Sequence, residues 1–131
     1  MFARRKNPIV SDRLSNRRAR EDAAGKLADR CPDLESLSID VHEAREGGWL
    51  TDTKYTLRIP VAGASALFEV SCSDRGCREG GYDVTHEVMR ALLSRSERFE
   101  GETPCHGRCG NGECARVLHY VGRATYRTPG T

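Results

Sequence analysis

A chain of 131 residues suits one domain with one core, and 37% apolar against 31% charged residues keeps that core small, so a local cross-link would add useful stability. No apolar run reaches the roughly 18 residues of a spanning helix, and the opening "MFARRKNPIVSDR" has basic residues with no apolar segment behind them; the expectation is a cytoplasmic protein with no membrane contact. Net charge is +2, but residues 1–30 carry nine Lys or Arg against four Asp or Glu while the remainder carries twelve against fifteen, an asymmetry that marks either a nucleic-acid or acidic partner or a solvated helix face.

Residues 1–11 read as a flexible leader and 12–131 as a single α+β domain. In "SDRLSNRRAREDAAGKLADRCPD", Ser11 suits an N-cap and Pro32 ends the segment, which predicts a helix from about Asp12 to Arg30 with a thin apolar stripe of Leu14, Ala23, Ala24, Leu27 and Ala28. Cys31 stands alone beside the proline and reads as a half-buried cysteine. The period then falls to two. "LESLSIDVHEA" sets Leu37, Ile39 and Val41 on one face, and "KYTLRIPV" does the same with Tyr55, Leu57, Ile59 and Val61. Glycines in "REGGWLTD" join the two as an antiparallel pair.

A third strand, "ALFEVSC", points Phe68, Val70 and Cys72 to one side. In "REGGYDVTHEVMRALLSRSERFE", Gly80 and Gly81 open a turn and Asp83 caps a helix from about Val84 to Ser96, with Val84, Val88, Ala91, Leu92 and Leu93 inward. Two more strands follow, "RFEGETPC" and "CARVLHYVGRATYR", the second with Leu118, Tyr120, Ala124 and Tyr126 on one face. The predicted fold is α+β: a mainly antiparallel sheet of about five strands with two helices on one face.

Five of the six cysteines lie in two polar, glycine-bearing stretches, "CSDRGC" at 72–77 and "CHGRCGNGEC" at 105–114. In a reducing compartment such clusters are metal ligands more often than disulfides, and a structural zinc site draws two thiolates from each of two turns. Cys72 and Cys77 supply the first pair. On the second side Cys105 and Cys114 sit at strand ends, which hold ligands more rigidly than a loop tip, with Cys109 as substitute for Cys105 and His106 beside them. The expected cofactor is one Zn2+ on Cys72, Cys77, Cys105 and Cys114.

This layout resembles zinc-ribbon proteins, in which paired cysteines at two turns grip one ion and strands lead away from them. The resemblance covers residues 72–77 and 105–126; it differs in its C-x4-C spacing and in the helix that separates the halves. "CREGGYD" before a helix, with C-x-G later, is also similar to uncharacterised small bacterial zinc-binding proteins, which carry no assigned activity.

No enzyme signature accompanies the cysteines. "TPCHGRC" has part of the zinc-deaminase pattern, yet "VHEA" and "THEV" lack the required H-x-E. Four thiolates would also leave zinc no position for water. His42 and His86 neighbour glutamates, but adjacent residues on a strand or helix diverge, and His119 reads as a surface or packing residue. No phosphate-binding loop or small-molecule site is evident. The sequence therefore implies a non-enzymatic domain mediating protein or nucleic-acid interaction, the latter through Arg13, Arg17, Arg18 and Arg20 on phosphates; the alternative is a thiol-based redox sensor or oxidoreductase using the cysteine cluster.

Overall fold

The computed structural model describes residues 8–45, 53–73, 77–78, 80–105, 107–109, 112–114 and 116–128; the side chains of residues 8–15, 45, 53, 78, 108, 109, 112 and 113 lie outside that description. Four long strands form one antiparallel sheet: β1 (Leu34–Arg45), β2 (Thr53–Ile59), β6 (Arg98–Pro104) and β9 (Arg116–Tyr126), in the order β2-β1-β9-β6. The β1 and β9 strands are the longest and take the centre, where both edges are paired, and Pro104 closes the outer strand β6, as its missing N–H requires. Between them in sequence come β3 (Glu69–Val70), β4 (Cys77–Arg78), β5 (Tyr82–Asp83), β7 (Arg108–Cys109) and β8 (Gly112–Glu113), which make two small sheets of their own, β3-β5 and β4-β7-β8.

The α+β class and the antiparallel sheet stand as read from the periodicity. Of the five expected strands, however, "ALFEVSC" does not join the main sheet. Only Glu69–Val70 is extended, and it pairs with Tyr82–Asp83. Its short apolar run fills core space instead: Ala66, Phe68 and Val70 are buried, and the Phe68 carbonyl accepts the Val84 amide at the entry to helix α3 (Thr85–Leu93).

That helix is shorter at both ends than its apolar stripe suggested. Val88, Met89 and Leu92 are buried while Leu93 is 57% exposed, so Met89 occupies the inward position assigned to Leu93. The N-terminal helical region is two helices, α1 (Pro8–Ala24) and α2 (Leu27–Arg30). It starts before Asp12 because proline is well suited to the first helical turn. It breaks at Gly25, whose φ of +80° is the left-handed conformation that ends helices. Gly25 and Leu27 then hydrogen-bond the 64–66 segment (Ala66 N–H to Gly25 O, 2.8 Å; Leu27 N–H to Ala64 O, 2.9 Å), which fixes α2 over the core.

The inner face of the sheet carries Leu37, Ile39 and Val41 from β1 and Leu118, Tyr120 and Ala124 from β9, covered by Leu27, Phe68, Val88, Met89 and Leu92. Two glycines accommodate aromatic neighbours on that face. Gly122 is the register partner of Phe99, and Gly101 of Tyr120. A Cβ on Gly122 would enter the Phe99 ring, and one on Gly101 would lie 2.6 Å from the Tyr120 hydroxyl oxygen.

Replacing Gly122 with Ala should therefore displace the Phe99 ring and destabilise the fold by about 1–3 kcal/mol. Chemical denaturation of the two proteins side by side measures it, and an unchanged midpoint would contradict the packing described.

Candidate metal centre

Four chain segments deliver one sulfur each to the same end of the molecule. Cys72 follows β3, Cys77 opens β4, Cys105 follows β6 and Cys114 precedes β9. Local hydrogen bonds hold the last two. The Cys105 amide donates to Arg116 O (2.9 Å), which continues the β6–β9 ladder by one step, and the Cys114 amide donates to Gly107 O (2.9 Å). Cys105 and Cys114 are thus not ladder partners of each other, as a plain hairpin would make them. The chain between them doubles back as β7 and β8, and β7 pairs with β4 so that Cys77 faces Cys109 in register. This small three-stranded sheet brings the 72–77 stretch onto the 105–114 stretch.

The sulfur atoms of Cys72, Cys77, Cys105 and Cys114 all lie within 4.8 Å of one another. Cys77 and Cys105 are 3.6 Å apart and Cys72 and Cys114 3.8 Å apart, and none of the four is in a disulfide. A disulfide needs about 2.0 Å. A tetrahedral ion with bonds of about 2.3 Å to sulfur needs sulfurs about 3.8 Å apart; the Cys77–Cys105 and Cys72–Cys114 pairs are close to that separation, and the remaining pairs lie within 4.8 Å. Cys105 and Cys114 are buried, at 5% and 6% exposure, while Cys72 and Cys77 are half-exposed. Among the described residues, no other set of three or more His, Cys, Asp or Glu side chains is so placed.

The backbone holds the sulfurs in place. Cys105 Sγ accepts the Gly81 amide at 3.3 Å and the Gly107 amide at 3.4 Å. With no cation among the sulfurs, burial pushes the Cys77 thiol far above its ordinary range, and hydrogen bonds with Cys105, Cys72 and Cys114 push it the same way. A divalent cation reverses that balance, because it stabilises the ionised form of every sulfur it binds.

Gly80 allows the close approach. A Cβ there would collide with Cys77 Sγ and lie 2.9 Å from Cys105 Sγ. Gly81 has a φ of +143°, which an L side chain rarely adopts, and it carries the amide that reaches Cys105. Both glycines were legible in sequence only as turn formers.

Glu43 is the residue that the sequence reading passed over. It is 1% exposed and follows Val41 on the inner face of β1, the next step of the same period-two alternation. Its Oε2 accepts the Ser73 amide at 3.0 Å and the Tyr82 hydroxyl at 2.8 Å, so one buried carboxylate ties β1 to the residue after Cys72 and to β5. Burial alone would raise its pKa; the Ser73 amide and hydroxyl, the Tyr82 hydroxyl and the Cys72 thiol together outweigh burial and hold it below the usual carboxylate value. Extending the alternation one step beyond Val41 would have found it.

Other predicted residues lie elsewhere. Cys109 enters the site region by its backbone, with its side chain outside the described residues, as is all of His106. Cys31 is more buried than expected, at 7%, and ends α2. His42 and His119 stack across β1 and β9 with ring centroids 5.7 Å apart, and His119 Nδ1 is 3.1 Å from Glu102. His86 is exposed and bonded to Arg90. Of the four arginines assigned to phosphate contact, Arg20 makes two bonds to the Glu69 carboxylate (2.6 and 2.9 Å) and Arg17 contacts Glu21 and the Glu69 carbonyl. Arg18 is exposed, and the Arg13 side chain lies outside the described residues.

The chain matches no protein-family model, no curated protein and no solved structure. The site is accordingly characterised by its own geometry: four cysteines positioned to hold one metal ion.

Substituting Gly80 with Ala should weaken metal affinity by about tenfold or more, since displaced surroundings of a metal ligand commonly cost that much. Gly63, with open space around it, provides the control: Gly63→Ala should leave affinity unchanged. Competition against a chromogenic chelator reads both.

Proposed function

We propose that this protein is a non-enzymatic zinc-binding domain in which one Zn2+, held by Cys72, Cys77, Cys105 and Cys114, is a structural element. The observation that carries the reading is the convergence of four sulfurs within 4.8 Å of one another, two pairs of them 3.6 and 3.8 Å apart. Zinc is favoured over harder cations because all four donors are sulfur, and over an iron–sulfur cluster because the sulfurs close on a single-ion volume. Four thiolates fill the coordination sphere, so the ion has no position for an activated water. Its effect is mechanical: it fastens the segment after β3 and strand β4 to the ends of β6 and β9.

The binding energy involved is large for so small a domain. Apparent free energies of about 10 kcal/mol or more for a structural zinc compare with about 5–15 kcal/mol for the stability of a whole domain. The zinc end would depend on metal for its order, while the α3-covered half of the sheet has an apolar core of its own. No helix among the described residues is long and apolar enough to cross a membrane, and the proposed setting is the cytoplasm, where thiolates stay reduced. The partner in this reading is a protein or a nucleic acid; since Arg17 and Arg20 are engaged with Glu21 and Glu69, a protein partner is the better supported of the two.

Protein purified without added metal should contain about one zinc per chain, lost when any one of Cys72, Cys77, Cys105 or Cys114 is changed to Ser, and retained in Cys31→Ser. Elemental analysis checks this. A zinc content unaffected by Cys105→Ser but abolished by Cys109→Ser would reassign the ligand set.

Zinc uptake should also release protons. The Cys77 thiol is held protonated far above its ordinary range in the metal-free site, so below that range the proton must leave before sulfur binds zinc. Affinity should therefore fall steadily as pH falls from about 8 to 6, with up to about four protons released per zinc. Calorimetric titration in two buffers of different ionisation enthalpy counts them.

A further inference from the structure

The four sulfurs are not equivalent. Each of the two close contacts joins a half-exposed sulfur to a buried one: Cys77 to Cys105 at 3.6 Å and Cys72 to Cys114 at 3.8 Å. Cys77 opens a two-residue strand at the surface, whereas Cys105 is fixed from behind by the Gly81 and Gly107 amides and by its own bond to Arg116 O. Cys72 is placed differently, because its thiol is also within hydrogen-bonding reach of the buried Glu43 carboxylate. An oxidant arriving from solvent thus reaches the half-exposed Cys77, whose sulfur lies 3.6 Å from that of the buried Cys105.

We infer that Cys77 is an oxidation site for hydroperoxides, that Cys105 resolves it as a Cys77–Cys105 disulfide, and that this step expels the zinc. The inference rests on the zinc reading for the metal and on sulfur geometry for the pairing. In the first step the Cys77 thiolate attacks one oxygen of hydrogen peroxide; the O–O bond breaks, sulfur becomes a sulfenic acid and hydroxide leaves. In the second step the Cys105 thiolate attacks the Cys77 sulfur, the S–S bond forms, the S–O bond breaks and a second hydroxide leaves. Two protons from solvent convert the two hydroxides to water. Two thiolate electrons have then reduced the peroxide, and the ion, left with Cys72 and Cys114, loses half its ligands.

The backbone suits this outcome. Two sulfurs already 3.6 Å apart need to close by only about 1.5 Å to reach bonding distance, a shift that side-chain rotation supplies. Cys109 is the competing partner, since its backbone faces Cys77 in the β4–β7 register, where cross-strand Cα atoms lie about 4.5–5.5 Å apart and within disulfide range. The test must separate the two.

The 131-residue chain, its zinc measured first, is treated with one equivalent of hydrogen peroxide while a chromogenic chelator follows released metal. The product is then alkylated and digested with trypsin without reduction. Cleavage after Arg places Cys77 on 76–78, Cys105 on 99–108, and Cys109 with Cys114 on 109–116. The expected result is release of the bound zinc together with a cross-link between 76–78 and 99–108, and recovery of zinc binding after dithiothreitol. A cross-link of 76–78 to 109–116, a sulfinic acid on Cys77, or retention of zinc through the treatment overturns the inference. The metal analysis made before peroxide reports on the zinc reading alone: if the chain holds no zinc and takes up none, that reading falls, while the tryptic map of the metal-free protein still decides the pairing.

Discussion

Four sulfur atoms brought within 4.8 Å of one another by four separate segments are the constraint on which this end of the molecule depends. Neutral thiols are poor hydrogen-bonding groups and thiolates repel, so neither state of the bare cluster offers much to hold it closed. The backbone nevertheless converges there, with glycine where a Cβ would meet sulfur and two amides aimed at Cys105. Such an arrangement is stable when a cation supplies the attraction that the sulfurs lack. Metal affinity and local folding then become one quantity rather than two.

The same logic explains why the inner face of the sheet changes character along its length. At one end Leu37, Ile39 and Val41 and their β9 neighbours bury against α2 and α3, and packing alone suffices. At the other end the inward positions are Glu43 and Arg116, which are buried but polar. A buried carboxylate is costly unless hydrogen-bonded, and Glu43 is bonded to the Ser73 amide and the Tyr82 hydroxyl. Apolar filling at that position could not reach into the loop after Cys72; a carboxylate can, and it fixes that loop relative to the central strand. The cysteine end is thus organised by directional bonds, the far end by area.

Much of this was legible because it repeats. Period-two alternation located β1, β2 and β9, helical spacing located α3, and the two cysteine stretches were visible from composition and spacing alone. The features that escaped depend on contacts between distant residues. Gly80 looked like a turn former, and only its contact with two sulfurs from other segments shows why no larger residue fits. Glu43 was missed because alternation was scored on apolar residues, so a charged side chain at the next inward step ended the pattern instead of extending it. The strand expected over "ALFEVSC" kept its inward alternation, but only Glu69–Val70 is extended and it pairs with Tyr82–Asp83 outside the main sheet, a long-range choice that periodicity does not encode. The break at Gly25 was readable in principle, a glycine after two alanines, but the apolar stripe runs through it.

The basic N-terminal region has acidic groups of its own chain within reach. Residues 1–30 carry an excess of five positive charges, and the remainder of the chain an excess of three negative ones. Within the fold these meet: Arg20 donates to both Glu69 carboxylate oxygens through Nε and Nη2, and Arg17 reaches Glu21 and the Glu69 carbonyl. A partly exposed pair of this kind contributes at most about 1 kcal/mol, so it does not hold the domain together. What it does is orient α1 against β3, the strand that leads directly to Cys72. The positive charge of the helix is therefore matched in part by acidic groups of its own chain, and a partner's phosphates are not needed to account for it.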